Sequence, residues 1–258
     1  MTYEHVPPRA AGNDERLTVY GLDHWLGRDE ERGLEGGRIE QRGAGARVLC
    51  EDCNNKTGSW YGNELALLSR AAHNLLARSP LEEFDSSLQP MAADVAFKQT
   101  PGRPDLGPHP LRIAKQIVSM MLATSPPELA RLHPDLPAFV LDRERTGLPD
   151  RYQLYLALFA GPLARQTGIA HSLDVETGAM TTLVEVAFPP LAYVLTIDAP
   201  PGAIHTLNIT PFVDVGYDTR ADIDAHLLIG FGHTPYPADY RSRAMLERDR
   251  NRADIPND

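Results

Sequence analysis

The spacing of apolar residues along the chain predicts two helices. Between residues 54 and 78, leucine and alanine recur at intervals of three or four positions, which is typical of one buried face of an α-helix. The residues on that face are Leu65, Leu68, Ala72, Leu75 and Leu76. Residues 111–124 are apolar almost throughout, so we expect a second helix that is buried against a sheet. A charged segment, residues 238–252, predicts a further helix.

Short runs of β-branched and aromatic residues from position 152 onward predict strands. The segment 175–179 contains a glycine between two such runs and is typical of a hairpin. A short strand is also expected at residues 47–49, and the later strands are expected at residues 152–159, 169–174, 181–188, 191–197 and 224–230. The predicted fold class is therefore α+β, with an antiparallel sheet in its second part.

Two segments interrupt this pattern. Residues 27–45 combine glycines with charged residues and indicate a mobile insert. Residues 100–110 contain four prolines and two glycines, which is typical of a stiff linker or surface loop. We expect an N-terminal module of residues 1–80 and an α+β domain of residues 81–258, whose role the sequence does not indicate.

Composition restricts the class of protein. The 258 residues carry a net charge of −10, which argues against a strong nonspecific DNA binder. Residues 1–80 contain 10 Lys and Arg and 12 Asp and Glu, so this part of the chain would repel nucleic acid less than residues 81–258. There is no export signal, no apolar run long enough for a membrane helix and no disulfide framework. We expect a cytoplasmic protein without a membrane partner; a homo-oligomer is left open.

Two short segments carry candidate chemistry. The first runs Glu4-His5-Val6-Pro7-Pro8 and is followed by Gly12-Asn13, and the second runs Cys50-Glu-Asp-Cys53-Asn54-Asn-Lys56 and is followed by Thr-Gly-Ser-Trp-Tyr-Gly. A histidine near its ordinary pKa accepts a water proton at neutral pH. Carboxylate and amide oxygens suit a hard cation such as Mg²⁺. Together these groups are the ones that phosphodiester hydrolysis requires.

Both segments resemble the HNH endonuclease family, and in particular bacterial proteins that start with EHVPP and carry a CxxCNNKTGSWYG block. The resemblance covers roughly residues 4–62 and implies a ββα-metal module. By position, it implies that Glu4 and Asn54 bind a catalytic Mg²⁺ or Mn²⁺ and that His5 is the general base. DNA is the implied partner. The implied phosphate contacts are Arg9 and Lys56.

The sequence departs from the family pattern in three places. Many members have a central Asn about five residues before the first Cys, where this chain has Gly45; that Asn steadies the loop that carries the base, and it is either missing or displaced to Asn13. The insert between the two segments is longer than the usual turn. A second Cys-x-x-Cys pair, present in zinc-stapled members, is absent.

Several residues keep two interpretations. Cys50 and Cys53 are either half of a Zn²⁺ site, completed by His24, His73 or a second chain, or thiols packed as small apolar groups. Asp23-His24 is an alternative to Glu4-His5. Trp60 and Tyr61 either stack on bases or seat their helix against the rest of the protein, and we favour the second. The alternatives to an endonuclease are an inactive HNH-like scaffold that binds a partner and an HNH-like enzyme with a small-molecule substrate.

Overall fold

The fold was determined as a computed structural model, which describes residues 2–19, 38–41, 43–77, 91–97, 107–160, 164–173, 178, 180–200, 204 and 206–231. The helices are α1 (Glu51–Leu76), α2 (Pro110–Thr124), α3 (Pro127–Leu132) and α4 (Asp135–Leu141), with short 3-10 helices at Arg9–Ala11 and Thr210–Asp214. The N-terminal strands are β1 (Thr2–His5), β2 (Leu17–Val19), β3 (Arg38–Glu40) and β4 (Gly45–Leu49). The later strands are β5 (Met91–Phe97), β6 (Tyr152–Ala160), β7 (Arg165–Leu173), β8 (Met180–Phe188), β9 (Leu191–Ile197), β10 (Leu207–Asn208) and β11 (Ile223–Phe231).

The strands form one large sheet and two small ones. The large sheet has the order β5-β11-β6-β9-β8-β7, with β10 added beside β6. Its neighbours are antiparallel except β6 and β11, which run parallel. The α+β class is confirmed; the parallel pair departs from the predicted antiparallel sheet. A parallel neighbour requires a long connection, and between β6 and β11 the chain passes through β7, β8, β9, β10 and a 3-10 helix.

Helix α2 lies at the centre of the hydrophobic core. Its Ile113, Ile117 and Met120 are fully buried, as the apolar density of this segment predicted. The helix contacts α1 on one side and strands β7, β8 and β9 on the other. The same cluster of buried residues includes Leu65 of α1 and Leu154 of β6, so a continuous core crosses the predicted boundary at residue 80. The division into two domains stays a prediction.

Two side chains fasten α1 to the rest of the core. The Tyr61 hydroxyl donates a hydrogen bond of 2.7 Å to the Val140 carbonyl oxygen, and its ring is fully buried. The buried Glu64 carboxylate contacts His109 Nδ1 at 2.7 Å and accepts the His109 backbone N–H at 3.2 Å. Because His109 is the N-cap residue of α2, Glu64 holds the start of one helix against the side of the other. The prediction that Tyr61 seats its helix is confirmed.

Most predicted elements are present with shifted ends. Helix α1 begins at Glu51 rather than at residue 54, and the strands predicted from residue 152 onward correspond to β6, β7, β8, β9 and β11. The prediction of a mobile insert at residues 27–45 is wrong for its last part. Residues 38–40 form β3, and the backbone from Gly45 onward forms β4. Residues 27–37 and the predicted helix at 238–252 lie outside the described residues.

Candidate functional site

The two motif segments meet in a small antiparallel sheet that leads directly into α1. Strand β1 pairs with β4, and Glu4 lies opposite Ala46 while His5 lies opposite Gly45. The backbones approach so closely here that a Cβ at position 45 would overlap the Glu4 carbonyl oxygen. Position 45 therefore requires glycine if β1 and β4 are to pair this closely.

The start of α1 is fixed against β1 by Asn54. Its side-chain Nδ2 donates hydrogen bonds to the Tyr3 carbonyl oxygen at 3.2 Å and to Thr2 Oγ1 at 3.1 Å. The first turn is itself held by Thr57, whose hydroxyl donates to the Cys53 carbonyl oxygen at 3.0 Å. Because both Asn54 bonds use the amide nitrogen, the amide oxygen is left to face another partner.

Glu4 is a buried carboxyl beside this junction. Only 6% of the residue is exposed, and burial raises its pKa from 4.5 to about 7. The register of β1 against β4 shifts between Thr2 and Tyr3, and Asn54 contacts β1 at these two residues, just before Glu4. Among the described residues no hydrogen bond reaches the Glu4 carboxyl, and burial alone accounts for its raised pKa.

His5 leaves β1 on the other face, with Tyr3. The two rings make an edge-on contact with centroids 4.9 Å apart. Tyr3 is held in turn by its hydroxyl, which donates to the Gly43 carbonyl oxygen at 3.0 Å. His5 is half-buried, and its Nε2 is shielded from solvent. Glu4 and His5 are therefore strand residues, one buried and one half-buried, and not an exposed pair.

Asn13 ties together the backbones that flank this site. It is fully buried, and its Nδ2 donates hydrogen bonds of 2.7 Å to both the Pro7 and the Ala44 carbonyl oxygens. Its Oδ1 accepts the Ala44 backbone N–H at 2.6 Å. Gly43, with a φ of +88°, passes so near that any Cβ there would overlap Asn13. Asn13 therefore joins the loop after His5 to the backbone just before β4.

The cysteines lie at the N-terminus of α1. Cys50 is its N-cap residue, and its sulfur accepts the Cys53 backbone N–H at 3.2 Å. Hydrogen bonds from Cys53 lower the pKa of the Cys50 thiol, while the same contact raises the pKa of Cys53. Cys50 is exposed and Cys53 is half-buried, so neither packs as a core apolar group.

A zinc site completed by His73 is wrong, because His73 is on the last turns of the same helix, about 30 Å away along its axis. His24, with the Asp23-His24 alternative, lies outside the described residues. Within the described residues, no three His, Cys, Asp or Glu side chains converge to hold a metal ion. Of Glu4 and Asn54, only Glu4 belongs to these four residue types. A metal site formed by this pair would use oxygen ligands, not thiolates or imidazoles.

The two expected phosphate ligands are both at the surface. Lys56 is 53% exposed and lies 3.9 Å from Asp52, one turn earlier on α1. Arg9 is exposed on the 3-10 helix Arg9–Ala11, which contacts α1. Both cations are therefore exposed, on two elements that contact each other. Lys56 reaches solvent in spite of its acidic neighbour.

One contact to this site comes from far along the chain. Gln166 of β7 donates its side-chain N–H to the Val6 carbonyl oxygen at 3.0 Å. Sequence analysis missed this residue because a polar side chain 160 positions away leaves no local pattern. The only signal within reach was the Gln-Thr-Gly sequence at the start of a predicted strand, which is typical of a β-bulge.

None of the helices in the described part of the chain has the length and apolar content that a membrane span needs. Comparison of the chain with protein-family models, with curated proteins and with solved structures found no match.

Proposed function

We propose that this protein is a divalent-metal-dependent endonuclease of the HNH type that hydrolyses phosphodiester bonds of DNA. The observation that carries the proposal is the junction of β1 and α1. Two segments some fifty residues apart in sequence meet there, and Asn54 donates to Thr2 and Tyr3 on the strand that bears Glu4 and His5. The strand that bears Glu4 and His5 is thus joined to Asn54 at the start of α1, in the order that the motif resemblance implies.

The donor set fits a hard cation. The Glu4 carboxyl is buried with its pKa raised to about 7, so ionising it costs free energy that a bound cation would offset. The Asn54 oxygen is free of the amide's own hydrogen bonds to β1. Two oxygen ligands suit Mg²⁺ or Mn²⁺, which keep several waters and take further ligands from a substrate phosphate. We assign Glu4 and Asn54 as the residues that would hold the ion.

Such a cation supplies stabilisation of the developing charge on the phosphate and on the leaving oxygen. His5 supplies the base. A water oxygen attacks phosphorus, the bond to the leaving oxygen breaks, and the water proton passes to the imidazole. Tyr3 contacts the His5 ring, and Asn13 holds the loop that follows it. The base is therefore ordered before the substrate binds, which lowers the entropic cost of reaching the reactive geometry.

DNA fits the positions of the surface cations. Arg9 and Lys56 are exposed on two elements in contact, where they would bind phosphates that flank the scissile bond. The backbone N–H groups at the start of α1 add a further phosphate-binding element. The negative charge of the protein is concentrated in residues 81–258, which contain 15 Lys and Arg and 23 Asp and Glu. Arg9 and Lys56 lie outside this range.

Plasmid cleavage tests the proposal. Purified protein is incubated with supercoiled DNA and Mg²⁺ or Mn²⁺, and wild type is compared with His5→Ala. We expect His5→Ala to lower the cleavage rate at least about a hundredfold, because general-base catalysis contributes that much. His73→Ala, an exposed histidine at the far end of α1, is the matched control and should cut like wild type. Equal cutting by wild type and His5→Ala would reject the proposal in favour of a scaffold or a small-molecule enzyme.

A further inference from the structure

The loop directly after His5 is held by the large sheet as well as by its own strand partner. Val6 donates its backbone N–H to the Ala44 carbonyl oxygen at 2.9 Å, and its side chain is fully buried. The Val6 carbonyl oxygen accepts the side-chain N–H of Gln166 at 3.0 Å. Because Val6 is bonded to His5, this contact acts one residue from the proposed base.

The local shape of β7 aims Gln166 at this loop. β7 ends the order of the large sheet, and its pairing with β8 shifts register between Gln166 and Gly168. Gly168 has a φ of +59°, which favours glycine, and a Cβ there would come within 3.4 Å of the Thr124 carbonyl oxygen. The Thr167 hydroxyl accepts the Glu185 backbone N–H at 3.0 Å and so closes the ladder across the bulge. Bulges at sheet edges commonly redirect a side chain toward a functional site.

We infer that Gln166 is a positioning residue for His5, and that the large sheet serves the reaction by bracing the loop that carries the base. The inference rests on the proposed function for its catalytic consequence. The structural part, that the Gln166 side chain holds the loop after His5, does not depend on the proposed function. Asn13, six residues further along the chain, holds the next carbonyl, that of Pro7. The two amides therefore fix successive peptide groups, and removing Gln166 frees the one nearest to the imidazole.

The test uses the full chain and three variants. Gln166→Met keeps the length of the side chain and removes its N–H, while Gln166→Lys retains a donor at the same exposed position. Gln153→Ala is the control, because this glutamine belongs to β6 of the same sheet and accepts a hydrogen bond from Tyr155. Plasmid cleavage gives kcat and KM for each. NMR of the His5 ring, in protein with labelled histidine, reports its order without any turnover.

We expect Gln166→Met to lower kcat about tenfold with little change in KM, since a base held less firmly lowers the population of reactive geometries. The His5 ring signal should shift and broaden in Gln166→Met only. Gln166→Lys should recover most of kcat. A wild-type kcat together with an unchanged His5 signal in Gln166→Met would overturn the inference. If wild type does not cleave DNA, the proposed function fails, while the His5 signal still decides whether Gln166 holds this loop.

Discussion

Asn13 offers a sharp test of how the site is held together. Its side chain is fully buried and makes three hydrogen bonds, two to carbonyl oxygens of Pro7 and Ala44 and one from the Ala44 N–H. Asn13→Ala removes all three. Ala44 keeps one partner for its carbonyl oxygen, the Val6 N–H at 2.9 Å, whereas the Pro7 carbonyl and the Ala44 N–H lose the bonds described here.

The expected cost follows from these bonds. A buried hydrogen bond contributes about 1 kcal/mol net, and a buried group left without its partner costs about 1–3 kcal/mol. Asn13→Ala should therefore lower the free energy of unfolding by about 3 kcal/mol. A loss of this size is large compared with the total stability of a typical domain, about 5–15 kcal/mol. The same variant should also reduce plasmid cleavage, because the loop after His5 is no longer tied to β4.

Urea unfolding followed by circular dichroism measures the stability change. Asn55→Ala is the matched control, since Asn55 is an exposed asparagine on α1 and should change stability by less than about 0.5 kcal/mol. The slope of unfolding free energy with urea should be the same in all three proteins. If Asn13→Ala is as stable as Asn55→Ala, the hydrogen bonds of Asn13 do not hold the two strands, and the displaced-Asn interpretation is refuted.

Three further predictions concern packing and charge. Gly45→Ala should lower the free energy of unfolding in urea by about 2 kcal/mol, because the added Cβ overlaps the backbone of Glu4. The control Gly58→Ala, whose Cβ meets no atom within 4 Å, should raise the free energy of unfolding by about 1 kcal/mol because alanine favours the helix. Equal effects of the two substitutions would contradict the close pairing of β1 and β4. Burial raises the pKa of Glu4 from 4.5 to about 7 in the folded state, so the stability that its protonation contributes is fully present below about pH 4.5 and is lost as the pH rises through about 7. Between these pH values, the free energy of unfolding of ion-free wild type should fall by about 2–3 kcal/mol relative to that of Glu4→Gln. Parallel stability curves for the two proteins would be inconsistent with a buried carboxyl. Glu64→Ala should lower the free energy of unfolding by about 3 kcal/mol in the same assay, because it removes two contacts to His109 at the start of α2. A loss under about 0.5 kcal/mol would show that the Glu64–His109 pair does not join the two helices.

The elements that sequence predicted best are those whose burial is periodic. The leucines of α1 occupy one face, and β9 is found at residues 191–197 as predicted, with every residue buried. Strand β1 was missed because it has four residues, two of them Glu and His, and its pairing partner lies more than forty positions away. Helices α3 and α4 were missed because each has fewer than eight residues, too short for a periodic pattern.

The candidate site was predictable only in its motif residues. Glu4, His5 and Asn54 stand out by residue type and order, and Asn54 of α1 donates a hydrogen bond to the strand that bears the other two. The contacts that hold the site were not predictable, since they depend on tertiary structure; Asn13 was named only as an alternative position for a central Asn, and Gln166 was not named. Asn13 bonds across 31 positions and Gln166 across 160, and neither distance leaves a trace in the local sequence.

Direct binding of Mn²⁺ tests the central claim that Glu4 and Asn54 form one cation site. Electron paramagnetic resonance of free Mn²⁺ during titration gives the Kd for wild type, Glu4→Gln, Asn54→Ala and the control Asn55→Ala. We expect wild type and Asn55→Ala to bind one ion with equal Kd, and each ligand variant to bind at least about tenfold more weakly. Equal Kd values in all four proteins, or no binding by wild type, would contradict the claim.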